Sequence, residues 1–300
     1  MTNHWVLLSM LLMGSSLSSA QTLPLPIVSP VPSDSLRLTR LIPFDNPGAA
    51  SADPNGVLYV ADARQNIVQL APTWQRLQTY SAPVRGHLAA LDAGFIGKVL
   101  AFYDDRQALT IFDRFLSPMT VLQFADYPAT AERLIRAATL APDGTIWLYD
   151  ERQLALVRLD PRDPGNAAVV PLDLVLTSPR SDIRALHAYQ NKLYLLDRAS
   201  GLYVFDIFGA FSRKISLPDL GSVADVQFRG DELFFLTPDG RSLHFEPLYP
   251  TAAPVRWRGL PTAPGGHPWL RAIAGPGGEI YLLSATDIGV LDIAPVGGRR

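Results

Sequence analysis

Cysteine is absent from the 300-residue chain, which excludes disulfides, thiolate nucleophiles, cysteine zinc sites and lipid attachment through sulfur. An excess of charge of one sign is lacking too, since Lys+Arg 26 against Asp+Glu 28 leaves a formal net charge of -2. So balanced a chain has no electrostatic footprint for nucleic acid or for an anionic membrane surface. No apolar run reaches the roughly 18 residues of a spanning helix, and no long stretch of 3.6-residue period marks an amphipathic helix. Glutamate is scarce. The linear signatures H-E-x-x-H, G-x-S-x-G, G-x-x-x-x-G-K and the EF-hand loop are all missing, which weakens enzyme readings without excluding them.

What the chain does contain is 48% hydrophobic and 18% charged residues, enough to bury a sizeable core and too apolar for disorder. Gly 22 and Pro 26 fall at regular spacings between short apolar runs, the mark of many short strands. The length exceeds the usual roughly 100–200 residues of a domain but is within reach of one large all-β unit.

Trp5 to Met13 form a short apolar run ended by Gly14, and Ser18-Ser19-Ala20 precede Gln21. That order predicts a signal peptide over 1–20, although Met1-Thr2-Asn3-His4 carries no Lys or Arg. The expectation is an exported protein, periplasmic or extracellular, with no transmembrane segment once the leader is removed. Residues 21–35 form a proline-rich, extended lead-in. The folded domain is expected over 36–295, with a tail at 296–300.

A strand-turn-strand unit then recurs, as VLYVADARQNIVQL from Val57, VLAFYDDRQALTIF from Val99 and KLYLLDRASGLYVF from Lys192 illustrate. Aligning the residue that ends the first of these strands gives Asp62, Asp104, Asp150, Asp197, Thr237 and Ser284, spaced by 42, 46, 47, 40 and 47 residues. Such a period belongs to four-stranded propeller blades. Runs such as Ile146-Trp147-Leu148-Tyr149 are apolar at every position, so both faces must be covered, as stacked blades would do. The third unit reads as strands over 136–141, 145–149, 154–159 and 167–172. The last unit has no outer strand, whereas Leu36 to Ile42 is an unassigned strand at the other end of the chain. The fold class is therefore all-β: a six-bladed β-propeller of four-stranded antiparallel blades, closed by the N-terminal strand.

The segment Asn55-Gly56-Val57-Leu58-Tyr59-Val60-Ala61-Asp62, with Phe112-Asp113 and Phe205-Asp206 ending later strands, resembles the repeats of NHL-type and TolB-like six-bladed propellers. The resemblance covers about residues 36–295. It implies the fold and little of the function, because such propellers include envelope scaffolds, ligand sensors, lactonases, esterases and lyases. In the lactonases and esterases of this group the calcium ligands come from different blades, and no matching Glu/Asn/Asp set can be assembled here. The candidate channel carboxylates are Asp45, Asp182 and Asp225.

Three repeats carry Asp-x-Arg-Gln, at Asp62, Asp104 and Asp150. It suits either a charged ligand rim or, preferably, a hairpin in which Asp caps the turn and Arg ties adjacent blades. Asp113, Asp160, Asp206 and Asp292 are expected to be turn formers after the third strands. Arg136, Arg184 and Arg271 lie 14, 13 and 13 residues before their anchors, at the start of the innermost strands. They can converge on one channel mouth to bind a carboxylate or phosphate, or pair with carboxylates between blades. His87 and His267 each follow a glycine, 17 residues before an anchor, and belong to loops on the same face. They offer adjustable polar contacts or remain rim residues. His187 and His244 read as strand positions. Trp74, Trp257 and Trp269 serve blade packing in preference to stacking on sugars.

These observations favour a monomeric, non-catalytic propeller whose channel-mouth face binds an envelope protein, a peptide or a small anionic ligand. Arg136, Arg184, Arg271, His87 and His267 would carry the binding, and no cofactor is expected. The alternative is a metal-dependent hydrolase or lactonase with Ca²⁺ in the central channel.

Overall fold

Each apolar run between turn residues becomes a strand, and all strands but one pair with their neighbours in the chain. A computed structural model describes residues 36–95, 97–176, 181–218, 223, 225–249 and 256–293. The expected leader over 1–20, the lead-in 21–35 and the tail 296–300 lie outside the described residues. Strand β1 (Leu36–Pro43) comes first. Blade 1 is β2 (Ala50–Ala52), β3 (Leu58–Ala61), β4 (Ile67–Leu70) and β5 (Arg76–Tyr80); blade 2 is β6 (Leu88–Asp92), β7 (Lys98–Tyr103), β8 (Ala108–Asp113) and β9 (Pro118–Gln123). Blade 3 is β10 (Ile135–Leu140), β11 (Ile146–Asp150), β12 (Ala155–Leu159) and β13 (Ala167–Pro171). Blade 4 is β14 (Ile183–Tyr189), β15 (Lys192–Asp197), β16 (Gly201–Asp206) and β17 (Phe211–Ile215). Blade 5 is β18 (Gln227–Arg229), β19 (Glu232–Leu236), β20 (Ser242–Pro247) and β21 (Arg256–Gly259). In blade 6, β22 (Arg271–Ala274), β23 (Ile280–Leu283) and β24 (Asp287–Ile293) accept β1 as their fourth strand.

The sequence boundaries in blade 3 were each within a residue of these. Leu154, expected in a strand, instead sits in the hairpin at φ 48°. Asp292 is the one misread turn former: it lies inside β24 and pairs with Arg37. Blade 6 takes its outer strand from the other end of the chain, so β24 pairs with β1 through Asp292 to Ile293.

The alternation of side chains explains why the second strands are apolar throughout. Leu58 and Val60 pack against blade 6 with Ile273, Tyr281 and Leu283, while Tyr59 and Ala61 pack against blade 2 with Val99 and Ala101. Blade 3 repeats the arrangement, with Ile146 and Leu148 facing blade 2 and Trp147 and Tyr149 facing blade 4. Clusters of the same kind join blades 4 and 5 and blades 5 and 6. The core is thus distributed over the interfaces between blades, where fully burying one such side chain contributes about 1.5–3 kcal/mol.

Closure runs from Leu36↔Ile293 to Pro43↔Asp287, with a register shift between Leu38 and Arg40. Thr39 adds a hydrogen bond from its hydroxyl to the Val290 carbonyl at 3.2 Å. No helix among the described residues is long and apolar enough to cross a membrane.

Candidate functional site

The innermost strands β2, β6, β10, β14, β18 and β22 surround a central cavity of about 610 Å³, within the range of small-molecule sites. Where six strands converge there is little room, and alanine dominates the walls, among them Ala50, Ala90, Ala138, Ala185 and Ala274.

Arg136, Arg184 and Arg271 all line this cavity. Two of them owe their place to a β-bulge, a device that re-aims a side chain at the end of a strand. The register shifts between Ile135 and Ala137 and between Ile183 and Ala185, leaving Arg136 and Arg184 as the extra residues. Arg271 instead pairs directly with Leu283, one residue short of the Ser284 anchor. Their partners differ as well. Arg136 Nε lies 2.7 Å from Glu151 and Arg184 Nε 2.6 Å from Asp182, both pairs about half exposed. Such exposed pairs contribute little to stability and can open to a ligand. Arg271 is half-buried and has no carboxylate partner among the described residues.

The two loop histidines do not join the arginines. His87 and His267 precede β6 and β22, which puts them on the same face, but both are exposed and neither lines the cavity. His87 Nδ1 lies 2.7 Å from Asp104. Of the candidate carboxylates, Asp225 lines the cavity; Asp182 is held by Arg184 and Arg198, and Asp45 is exposed outside the lining.

Sequence reasoning missed His187, Gln227, Asp92 and Asp53 in the channel lining. His187 Nε2 is 2.6 Å from Asp225 Oδ1, and Asp225 Oδ2 accepts from the Gln227 amide at 2.9 Å. Burial pulls the His187 pKa down, but the Asp225 carboxylate outweighs it with help from Asp92, so the imidazole is held above its ordinary value. Asp92 Oδ2 accepts from the Thr139 hydroxyl at 2.7 Å and Leu140 N at 3.1 Å, both in blade 3. Thr139 Oγ1 in turn accepts from Ala188 N in blade 4 at 3.1 Å. Asp53, 9% exposed, caps its own turn by accepting from Asn55 N and Val57 N. The available signal was position: Asp53 and Asp92 fall where an innermost strand gives way to a turn.

These polar side chains also do what backbone ladders cannot, because the inner strands of different blades belong to different sheets. Ser51 reaches Ala93 N, Asp92 reaches blade 3, Thr139 blade 4, His187 blade 5, and Gln227 Oε1 accepts from Ala274 N in blade 6 at 3.2 Å.

The Asp-x-Arg-Gln motif caps hairpins. Asp62 Oδ1 accepts from Arg64 N and Asn66 N, and Asp150 Oδ1 from Arg152 N and Leu134 N. It is Gln rather than Arg that crosses between blades. Gln65 Oε1 accepts from Leu88 N in blade 2, and Gln107 both accepts from Ile135 N and donates to its carbonyl in blade 3. Arg106 and Arg152 pin the loops entering their own blades, at Val84 O and Glu132 O. Trp269 is buried, Trp74 meets Tyr281 edge-on at 5.0 Å, and Trp257, 41% exposed, packs on His244. No three His, Asp or Glu side chains among the described residues are placed to hold a metal ion.

No family model matches the chain, and no curated protein matches it. Solved structures do. A streptogramin B lyase matches with a TM-score of 0.60 at 13% identity over 85% of this chain and 98% of its own. A catalytically inactive virginiamycin B lyase from Staphylococcus aureus with quinupristin matches with a TM-score of 0.56 at 13% identity, covering 85% of this chain and 99% of that one. The β-propeller domain of Myceliophteria thermophila Cps50 (Swd1) gives 0.53 at 13% identity, covering 87% and 90%. Lyases and a Swd1 domain share little beyond architecture, and at this identity the likeness is one of fold.

Proposed function

We propose that this protein is an exported, non-catalytic propeller, grouped by its repeat with the NHL-type and TolB-like propellers, that binds a small anionic ligand or the acidic end of a peptide at its arginine mouth. One observation carries the reading: three arginines from blades 3, 4 and 6 line one cavity, and Arg271 has no carboxylate partner among the described residues. A guanidinium fork binds carboxylate and phosphate bidentately, and a half-buried one keeps more of that energy than a surface cation. Arg136 and Arg184 sit on weak exposed pairs and add to the field at the mouth. His87 and His267, at the rim, are left for contacts with a larger partner of the cell envelope. Export is supported by the leader-like residues 1–20, and the reading assigns no metal or cofactor.

Calorimetric titration with citrate and with inorganic phosphate tests it. Wild-type protein is expected to bind at least one of them. Arg271→Gln should weaken binding tenfold or more, and replacement of all three arginines by alanine should abolish it while the melting transition persists. Equal affinity in the wild type and the triple variant contradicts the assignment.

A further inference from the structure

The cavity is not uniformly basic, and its charge is ordered along its length. All six innermost strands begin on one face and run in the same direction, so strand register gives depth. Arg136 and Arg184 lie within the bulges at the entry, and Arg271 pairs one residue from its anchor. Asp92 pairs with Leu100, four residues before the Asp104 anchor, and Asp53 follows Ala52, which pairs with Leu58, four residues before Asp62. At roughly 3.3 Å per residue the acidic end is therefore roughly 10–13 Å deeper than Arg271.

Neither acid at that depth is held by a lysine or arginine among the described residues, and the charge Asp92 does feel is that of the His187 imidazole already shared with Asp225. Asp53 and Asp92 line the cavity, and their partners are backbone N–H groups and the Thr139 hydroxyl; neither has a Lys or Arg partner among the described residues. Asp53 is nine-tenths buried, and its Oδ2 has no hydrogen bond among the described residues. Buried carboxylates are ordinarily paired with a cation. Asp225, two residues before β18 and so near the level of Arg271, already has His187. The channel thus has a cation without a carboxylate partner at its mouth and two acids without a lysine or arginine partner at its depth, with alanines prominent in the wall between.

Resting on the anion-binding reading of the mouth, we propose that the ligand is a short peptide of three or four residues, lying along the channel with its C-terminal carboxylate on Arg271 and its N-terminal ammonium on Asp53 and Asp92. Length follows from the depth, since an extended chain advances about 3.3–3.6 Å per residue. Polarity follows from the charges. The alanine walls leave room for an extended backbone.

Calorimetric titration with tri-alanine, N-acetyl-tri-alanine and tri-alanine amide reads each end separately. Tri-alanine is expected to bind, and acetylation or amidation should each weaken it on the order of tenfold or more. In Asp53→Asn, whose side-chain oxygen can still accept from Asn55 N and Val57 N, acetylation should weaken binding by clearly less than in the wild type, and with Asp92→Asn added it should make no further difference. In Arg271→Gln, amidation should make none. Asp92→Asn is the second probe of the acidic end should Asp53→Asn fail to fold. Acetylated and free tri-alanine binding equally, with amidation still harmful, overturns the peptide assignment and leaves the anion site standing. So does Arg271-dependent binding of citrate with none of tri-alanine. If neither amidation nor Arg271→Gln alters any binding, both readings fall.

Discussion

His244 shows what enclosure does to a single titratable side chain. It is 1% exposed in β20, stacked on Phe235 with ring centroids 4.8 Å apart, and its Nδ1 has no partner. Burial drives its pKa down to about 4. The unfolded chain therefore binds this proton more readily, so stability is full above about pH 6.5 and is lost as pH falls toward about 4. His244→Gln should reduce the drop in melting temperature between pH 7 and pH 5, and an unchanged drop means another group carries the acid sensitivity. Gly240 makes a different demand. Its φ is 66°, and an added Cβ would lie 2.2 Å from the Trp269 carbonyl. Gly97, at φ 81°, has nothing within 4 Å. Both alanine variants bear left-handed strain of about 1–3 kcal/mol, but Gly240→Ala must also displace backbone. Thermal melts should show it as clearly the more damaging, and equal melting temperatures contradict the packing around Trp269. Residues of this kind were legible only where they repeated. Arg136, Arg184 and Arg271 stood out because three blades place arginine 13 or 14 residues before the anchor. His187 did not, because its meaning depends on Asp225, 38 residues away in another blade.

At the scale of strands and hairpins the sequence was far more informative, since turn residues and apolar runs act locally. The six anchor positions end or directly follow the second strands, and even a departure from Asp there preserves the turn, since Ser284 Oγ accepts from Asp287 N at 3.0 Å where a carboxylate would have done so. What local pattern could not reveal was the partner of a side chain. Gln107 looks like any polar turn residue, yet it holds both the N–H and the carbonyl of Ile135 in the next blade. Gln107→Ala should cost about 1–3 kcal/mol by leaving those groups unsatisfied, measurable by denaturant unfolding. A change of a few tenths would show that water replaces the amide readily. Asp292 was misread for a related reason, because its strand resembles the third strands of other blades, and its pairing with Arg37 of β1 is not visible locally.

At the scale of the molecule, the blades are held by apolar clusters between neighbours and by one strand borrowed across the chain. Deleting residues through Pro43 bares the edge of β24 and uncovers Leu291, which β1 now shields. The truncated protein is expected to lose its cooperative melt or aggregate, whereas a melt like that of the full chain would mean that closure contributes little. The ring also explains why the cavity was only partly foreseen: repeat spacing places arginines at the starts of inner strands, but not which carboxylates neutralise them. The most direct test of an anion-binding channel is a pair of melting curves, wild type and Arg271→Gln, each with and without saturating citrate. Binding to the folded state alone raises stability by about 2.7 kcal/mol at a hundredfold excess over Kd. The wild type should melt higher in citrate, and the variant should shift by clearly less. Equal shifts in the two proteins would contradict an anion site at Arg271.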